Sequence, residues 1–226
     1  MSYTTLDEIN KIKNKNILIL DIETTGLPKQ TIKKNKPEEE YPHYTNNNAY
    51  DESRIVQIAW KYFKNFDMNF NTSDIESVII RPKNFIIPSD SAKIHGIEND
   101  FAIKNGIKIN KVFNNYIGYY IENCDYILAY NAFFDVRIIM NELYRINFTN
   151  TLKCMEKLVN NKRILCIGHL SRNICRPDNW KPFYKYQIPK QCEVYKKCYG
   201  KKPKNEHNAE YDVFAMLKIL EKIMKK

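Results

Sequence analysis

The feature that most constrains this fold is a short apolar run that ends in two acidic residues. The run from Ile17 to Leu20 is followed directly by Asp21, and Glu23 comes two residues later. An unbroken apolar run of this kind is typical of a strand that is buried on both faces in the middle of a sheet. Because strand side chains alternate between faces, Asp21 and Glu23 project from the same face. They form either a solvated strand end or a pair of carboxylates that a cation holds together inside the protein.

The length of the chain favours one folded unit. With 226 residues it can bury one sizeable core, so we expect a single domain over residues 1–226. No stretch approaches the roughly 20 apolar residues that cross a bilayer, and the first residues have no apolar signal core. We therefore expect an intracellular protein, cytoplasmic or nuclear, without a secretion signal or a transmembrane segment.

The charge balance favours a polyanionic partner. The chain has 36 Lys and Arg against 26 Asp and Glu, which gives a net charge of +10. A strongly basic chain is typical of nucleic-acid-binding proteins. The alternative is that an A+T-rich genome raises the Lys content without any selection for binding.

The cysteines indicate a reducing compartment. The 6 cysteines contain no Cys-x-x-Cys pair and no spacing typical of a disulfide framework. Cys166, His169 and Cys175 lie close in sequence, but their spacing matches no common zinc site. We therefore expect buried free thiols and a surface histidine here.

The first half of the chain predicts strands that flank a long connection. Thr5 and Glu8 have capping-box spacing, which predicts a short opening helix. Residues 28–53 contain prolines, an acidic triplet and an Asn run, and predict a long exposed loop. Residues 54–63 and 75–82 are rich in β-branched and aromatic side chains, which predicts an antiparallel pair beside the first strand.

The second half of the chain alternates helices with a short strand. A helical pattern with Val112, Tyr116, Tyr119 and Tyr120 precedes a strand at 125–130. Apolar stripes then predict two core-facing helices, over 131–146 and 211–224. This order predicts an α/β domain with a mixed sheet.

Further acids are expected to approach the first strand. Asp135 falls in the first turn of a helix that leaves a short strand, with Asn131 as its predicted N-cap. Asp212 lies at the edge of the apolar face of the last helix, so it should point towards the sheet. His207 is predicted on the loop before that helix, which Asn208 caps.

Three segments carry a resemblance to a known enzyme family. The segments "DIETTGL" (21–27), "AYNAFFD" (129–135) and "HNAEYD" (207–212) resemble, in this order, the three exonuclease motifs of the DEDDh branch of the DEDD superfamily. That branch includes the proofreading exonuclease subunit of DNA polymerase III and ribonuclease T-like enzymes. The segments "RIVQIAW" and "KIHGIEND" are also similar to parts of this family. The resemblance implies a ribonuclease H-like fold with a central mixed five-stranded sheet flanked by helices.

The resemblance also implies an activity. It is 3′-to-5′ exonucleolytic hydrolysis that releases nucleoside 5′-monophosphates, with DNA as the expected substrate and RNA as the alternative. A nucleic-acid-binding module without catalysis is the candidate from another class, although the intact set of acids argues against it. The expected partner is nucleic acid with a free 3′-hydroxyl end, single-stranded or frayed. A polymerase or another replication or repair protein is a further candidate partner.

Roles for individual residues follow from the same resemblance. It implies two divalent metal ions, Mg²⁺ or Mn²⁺ as its substitute, since hard cations prefer oxygen ligands. His207 is implied as the general base. The implied metal ligands, which are also catalytic, are Asp21, Glu23, Asp135 and Asp212. The implied contacts with the terminal nucleotide are Thr24, Thr25, Gly26, Leu27, His95, Asn131 and Phe134.

The sequence departs from the family in two respects. Tyr130 stands where many relatives have histidine before the Asn-Ala pair. The loop at about 28–53 and the connection at about 161–189 are longer than in compact bacterial members. These differences affect the expected specificity more than the expected chemistry.

Overall fold

The computed structural model describes residues 4–29, 41–172, 174–175, 188–203 and 207–225. Much of the first half of the predicted loop 28–53, and much of the predicted connection 161–189, lies outside these described residues.

Five strands form one mixed sheet in the order β3-β2-β1-β4-β5. The pairs β1 with β2 and β2 with β3 are antiparallel, whereas β1 with β4 and β4 with β5 are parallel. The mixed five-stranded sheet expected from the sequence is therefore confirmed. The strands are β1 (Ile17–Thr24), β2 (Ile55–Phe63), β3 (Glu76–Ile79), β4 (Tyr126–Ala129) and β5 (Ile164–Cys166).

The helices flank both faces of this sheet. A one-turn 3₁₀ helix covers Asn47–Ala49, and a π-helical segment, Phe113–Ile117, joins two α-helices. The α-helices are α1 (Leu6–Asn10), α2 (Ser89–His95), α3 (Asn99–Asn105), α4 (Ile109–Val112), α5 (Gly118–Asn123), α6 (Ala132–Arg145), α7 (Thr149–Asn160), α8 (Ile167–Ser171), α9 (Gln191–Tyr199) and α10 (Ala209–Met224).

Strand β1 separates two cores. Leu18 and Leu20 pack with α6 on one face, whereas Ile17 and Ile19 pack with α10 on the other. Because side chains alternate along a strand, the odd-numbered Asp21 and Glu23 point to the face that α10 covers. The central strand thus directs its two acids towards the helix that carries Asp212.

Most of the predicted elements are confirmed. The predicted antiparallel pair is β2 and β3, and the two predicted amphipathic helices are α6 and α10. Thr5 and Glu8 form both hydrogen bonds of a capping box at the start of α1. The strand β5 and the helices α7 and α9 were not predicted, because the sequence reading assigned no periodicity to their segments.

The prediction for the helical pattern around Val112 was partly wrong. Tyr116 and Tyr119 were expected on its apolar face, but Tyr119 is 65% exposed. The buried apolar residues of this segment are Val112, Phe113, Ile117 and Ile121. The π-helical segment widens one turn and so moves the buried face away from the expected 3.6-residue period.

The prediction that residues 28–53 form an exposed loop was partly wrong: the described part is irregular, as expected, but it is not exposed throughout. Tyr41, Tyr44 and Tyr50 are all buried. The side chain of Asn141 on α6 donates a 2.7 Å hydrogen bond to the Tyr44 carbonyl. Buried tyrosines therefore pack this polar-looking segment, from residue 41 onwards, against α6.

The expectation of a surface histidine at position 169 was also wrong. His169 is 3% exposed and its ring contacts Phe133, with centroids 5.8 Å apart. Cys166 and Cys175 are not in disulfides, as expected, although only Cys166 is buried. Within the described residues, Cys166, His169 and Cys175 do not form a metal-binding group.

In the described part of the chain, no helix combines the length and apolar character that crossing a membrane requires.

Candidate active site

The predicted metal ligands meet in one cleft. It has a volume of about 710 Å³, and Asp21, Glu23, Asp135, Asp212 and His207 all line it. Oxygens of Asp21, Glu23 and Asp212 lie within 4.8 Å of one another. Strands and helices far apart in sequence therefore bring the four predicted carboxylates to one place.

Local geometry explains how each acid reaches the cleft. Asp21 and Glu23 end the regular part of β1, where the register with β2 shifts between Glu23 and Thr24. Asp135 lies in the first turn of α6, directly after β4, and is 3% exposed. Asp212 lies in the first turn of α10 and accepts a 3.3 Å hydrogen bond from the side chain of Gln191 on α9.

The clustered acids perturb one another strongly. Burial and the neighbouring charges of Asp135, Asp212 and Glu23 raise the pKa of Asp21 well above its ordinary value. Burial, followed by the charges of Asp212 and Asp135, raises the pKa of Glu23 to about 8. Burial also raises the pKa of Asp135, although backbone N–H groups oppose that shift. The protein alone therefore lacks the positive charge that this group needs to be fully ionised at neutral pH.

The donor set fits divalent metal ions. It consists of carboxylate oxygens only, which are the ligands that Mg²⁺ and Mn²⁺ prefer. Three of the carboxylates are close enough to share one ion, and Asp135 lines the same cleft. A bound cation would remove the repulsion that raises the pKa of these acids.

His207 lies at the entrance to α10, as predicted. It is exposed and adopts a left-handed backbone conformation with φ of 63°. The next residue, Asn208, caps the helix by accepting a hydrogen bond from the Glu210 N–H. A non-glycine residue in this conformation costs roughly 1–2 kcal/mol, and such residues cluster at functional sites.

His95 belongs to the surroundings of His207. It is buried at the end of α2, and its Nδ1 accepts a 3.1 Å hydrogen bond from the Ile97 N–H. In the neutral ring, Nε2 must then carry the proton, but it has no hydrogen-bond partner among the described residues. Burial, and then the charge of His207, lowers the pKa of His95. His95 therefore offers a buried donor near the predicted base.

Five of the seven predicted nucleotide contacts line one of two pockets, and Thr24 and His95 line neither. Asn131 and Phe134 line the cleft with the carboxylates. Thr25, Gly26 and Leu27 line a second pocket of about 520 Å³. In this second pocket Leu27 is 65% exposed, so it is not the core residue that its apolar character would suggest.

The turn after β1 has a rigid backbone. Thr24 Oγ1 donates to the Gly26 carbonyl over 2.8 Å, and Ser53 Oγ donates to the same oxygen over 2.8 Å. The Thr25 N–H donates to the Arg54 carbonyl, and the Arg54 N–H donates to Thr25 Oγ1. A Cβ on Gly26 would lie 2.8 Å from the Glu52 carbonyl oxygen. Glycine is therefore required for the close approach of two backbone segments here.

Two tyrosines pack or bond against residues that line the cleft. Tyr41 packs edge-on against Phe134, with ring centroids 6.0 Å apart. Tyr130, the departure from the family, donates a 2.9 Å hydrogen bond from its hydroxyl to the Pro189 carbonyl. Tyr130 therefore ties the segment before α9 to the end of β4.

Three lysines along this wall were missed in the sequence. Lys190 precedes α9, Lys196 lies in its last turn and Lys202 follows it, and all three line the cleft. Neither Lys190 nor Lys196 forms an ion pair with any residue that the structure describes. The pattern "VYKKCYGKK" at 194–202 places basic residues beside tyrosines, and this was the available signal.

Comparison with known proteins gives matches in structure only. No protein-family profile matches the chain, and no curated protein matches its sequence. A zinc-bound complex of E. coli exonuclease I with single-stranded DNA superposes with a TM-score of 0.62 and 19% identity, covering 94% of this chain and 41% of that one. E. coli exonuclease I in complex with a dA16 oligonucleotide superposes with a TM-score of 0.63 and 20% identity. The match covers 93% of this chain and 41% of that one. Exonuclease I from Methylocaldum szegediense superposes with a TM-score of 0.64 and 17% identity. The match covers 94% of this chain and 41% of that one.

These comparisons confirm the ribonuclease H-like fold expected from the three motifs. The chain spans 41% of the length of these three exonuclease I chains.

Proposed function

We propose that this protein is a metal-dependent 3′-to-5′ exonuclease that acts on single-stranded DNA. The observation that carries the proposal is the cluster of Asp21, Glu23 and Asp212 oxygens within 4.8 Å, in a cleft that Asp135 and His207 also line. Solved structures with this fold are exonuclease I bound to single-stranded DNA, which supports DNA over RNA as the substrate. The net charge of +10 also suits a polyanionic substrate.

In this mechanism the four acids would hold the cations, and residues 24–27 with His95 hold the substrate end. Asp21, Glu23, Asp135 and Asp212 would bind two divalent ions, which would supply activation of a water molecule and charge stabilisation at the leaving oxygen. His207 accepts the proton of the attacking water at a ring nitrogen. The backbone of residues 24–26 faces the terminal sugar, and Leu27 lies beside the last base. His95 Nε2 donates a hydrogen bond to the bound end.

The activity is tested with end-labelled substrates. Single-stranded DNA, a mispaired primer-template and RNA are incubated with Mg²⁺ or Mn²⁺. We expect 5′-mononucleotides to be released from the 3′ end of single-stranded DNA by the wild type and not by Asp21→Asn. Asp90→Asn is the matched control, because this acid is 91% exposed and, among the residues that the structure describes, forms an ion pair only with Lys93. Faster release from RNA would favour an exoribonuclease, and binding without turnover would favour a non-catalytic module.

The chemistry at the strand end gives a second test. A 3′-phosphate would bring an extra dianion against the carboxylates, where burial and like charge both oppose it. We expect hydrolysis of a 3′-phosphate end to be at least about tenfold slower than that of a 3′-hydroxyl end. This requires a difference of only ~1.4 kcal/mol in activation free energy. Equal rates on the two ends would contradict the assignment of residues 24–27 as the pocket for the terminal nucleotide.

A further inference from the structure

A second groove lies next to the cleft, between α9 and α10. Its volume is about 450 Å³, and its lining comes from α9 and the residues after it, from the first turns of α10, and from residues 72–75 before β3. Lys202 lines both this groove and the cleft with the carboxylates. The two spaces are therefore adjacent at Lys202.

The chain is built to bring basic and aromatic side chains together here. Gly200 ends α9 in the left-handed conformation, with φ of 75°, and turns the chain so that Lys201 and Lys202 face the start of α10. Tyr211, in the first turn of α10, is 41% exposed. A tyrosine with this exposure, beside lysines, offers a base a stacking surface and offers the adjoining phosphates a positive charge.

The acids that line the groove do not cancel this character. Asp74 lies 3.8 Å from the ammonium group of Lys61. Glu210 lies in the first turn of α10, where the positive end of the helix dipole, equivalent to about half an elementary charge, offsets part of its negative charge. The lysines of the wall continue along the cleft through Lys196 and Lys190.

We propose that this groove binds the part of a single strand that lies on the 5′ side of the cleaved bond, with a base stacked on Tyr211 and phosphates beside Lys201 and Lys202. The proposal rests on the proposed exonuclease function, which places the terminal nucleotide at the opposite pocket, beside residues 24–27. The strand then leaves the carboxylates along the lysine wall. This subsite recognises a backbone and a base face, so it takes any sequence.

The test compares strand length with groove substitutions. We measure kcat/KM on oligodeoxythymidylates from a dinucleotide upwards, for the wild type, Tyr211→Leu, Tyr211→Phe and Lys201→Gln. Tyr119→Leu, at a tyrosine that is 65% exposed on α5, and Lys222→Gln, at the far end of α10, are the matched controls. Binding of a labelled oligonucleotide in EDTA is measured in parallel by fluorescence anisotropy.

We expect Tyr211→Leu to keep the wild-type kcat/KM on the dinucleotide and to lose about tenfold on long strands, with the Phe variant unaffected. The logarithm of the binding constant falls linearly with the logarithm of the salt concentration. Lys201→Gln should make this fall less steep by about 0.7, the value for one phosphate contact of a single strand. An equal loss at every length, or equal effects in the controls, would overturn the proposal. If the wild type hydrolyses nothing but Tyr211→Leu still weakens oligonucleotide binding, the exonuclease function fails and the groove stands.

Discussion

Arg54 and Glu142 form a buried, two-point ion pair that joins the start of β2 to α6. Arg54 Nε lies 2.6 Å from Glu142 Oε1, and Nη2 lies 2.9 Å from Oε2. The exposed fractions of the two side chains are 13% and 1%. The same guanidinium group lies over the ring of Phe85, 4.7 Å from its centroid. This pair fixes the base of the turn that follows β1 to the helix that carries Asp135.

Removing one member of this pair should destabilise the protein strongly. Glu142→Ala leaves a buried guanidinium group without its carboxylate, and we expect the free energy of unfolding to fall by about 3–5 kcal/mol. Urea unfolding followed by circular dichroism measures this change. Asp90→Ala breaks an exposed pair with Lys93 and should cost less than about 1 kcal/mol. If the free energy of unfolding falls by similar amounts in the two variants, burial does not determine how much the Arg54–Glu142 pair contributes to stability.

Asp21→Asn should stabilise the metal-free protein while it removes activity. The substitution replaces a buried carboxyl beside Glu23 and Asp212 with a neutral amide, so it removes the cost of ionising Asp21 where burial and like charge oppose it and no cation offsets them. We expect a higher Tm in EDTA and a loss of Mn²⁺ binding by calorimetry. If Asp21→Asn has a lower Tm in EDTA than the wild type, Asp21 stabilises the fold and the prediction is contradicted.

The stability of the metal-free protein should fall as the pH rises. Burial and nearby acids raise the pKa of Glu23 from 4.5 to about 8. The folded state therefore holds a proton that the unfolded state has lost, and unfolding becomes easier across this window. We expect the free energy of unfolding in EDTA to fall between pH 4.5 and 8 by at least about 1.4 kcal/mol, the value of one pKa unit. In Glu23→Gln the fall should be smaller, and a profile that rises through this window would contradict the shift.

His207→Asn should separate catalysis from metal binding. Asparagine tolerates the left-handed backbone of residue 207, so the entrance to α10 is retained. Without a ring nitrogen to accept the proton, we expect turnover to fall by about 10²-fold or more, with the rise of rate with pH abolished. Calorimetry should give an unchanged Mn²⁺ affinity. A parallel loss of affinity and rate would make His207 a metal ligand.

Gly26→Ala should impair the substrate end of the site. The added methyl group would lie 2.8 Å from the Glu52 carbonyl oxygen, so the turn must move, at a cost of about 1–3 kcal/mol. We expect KM for single-stranded DNA to rise. Gly106→Ala is the control, since its added atom would also meet backbone, 2.4 Å from the Ala102 carbonyl oxygen, at a residue that lines neither the cleft nor the second pocket. If both variants raise KM equally, the turn is not a substrate contact.

Local sequence signals predicted the carboxylate cluster better than they predicted its surroundings. The apolar run before Asp21 and the helical stripe after Asp212 are short-range patterns, and each fixes the direction of an acid. The packing of Tyr44 on α6 instead depends on contacts between distant segments, such as the bond from Asn141. Periodicity does not encode such contacts, so the segment was taken for an exposed loop.

The lysine wall was missed for a related reason. Lys190 precedes helix α9, Lys196 lies within it and Lys202 follows it, and the position of this helix beside α10 brings the three lysines to one cleft. Gln191, which donates to the Asp212 carbonyl over 2.8 Å, holds the two helices together there. In the sequence these lysines are part of a general basic excess.

The hydrogen bonds between Thr25 and Arg54 close the connection from β1 to β2 at its base. Because the ends of the connection are fixed to each other, its length has little influence on the strands that it joins. The free energy of closing a loop grows only logarithmically, by about 0.6 kcal/mol for each doubling of its length. Proteins with this sheet could therefore gain or lose many residues in this connection during evolution while the spacing between Asp21 and Glu23 stays the same.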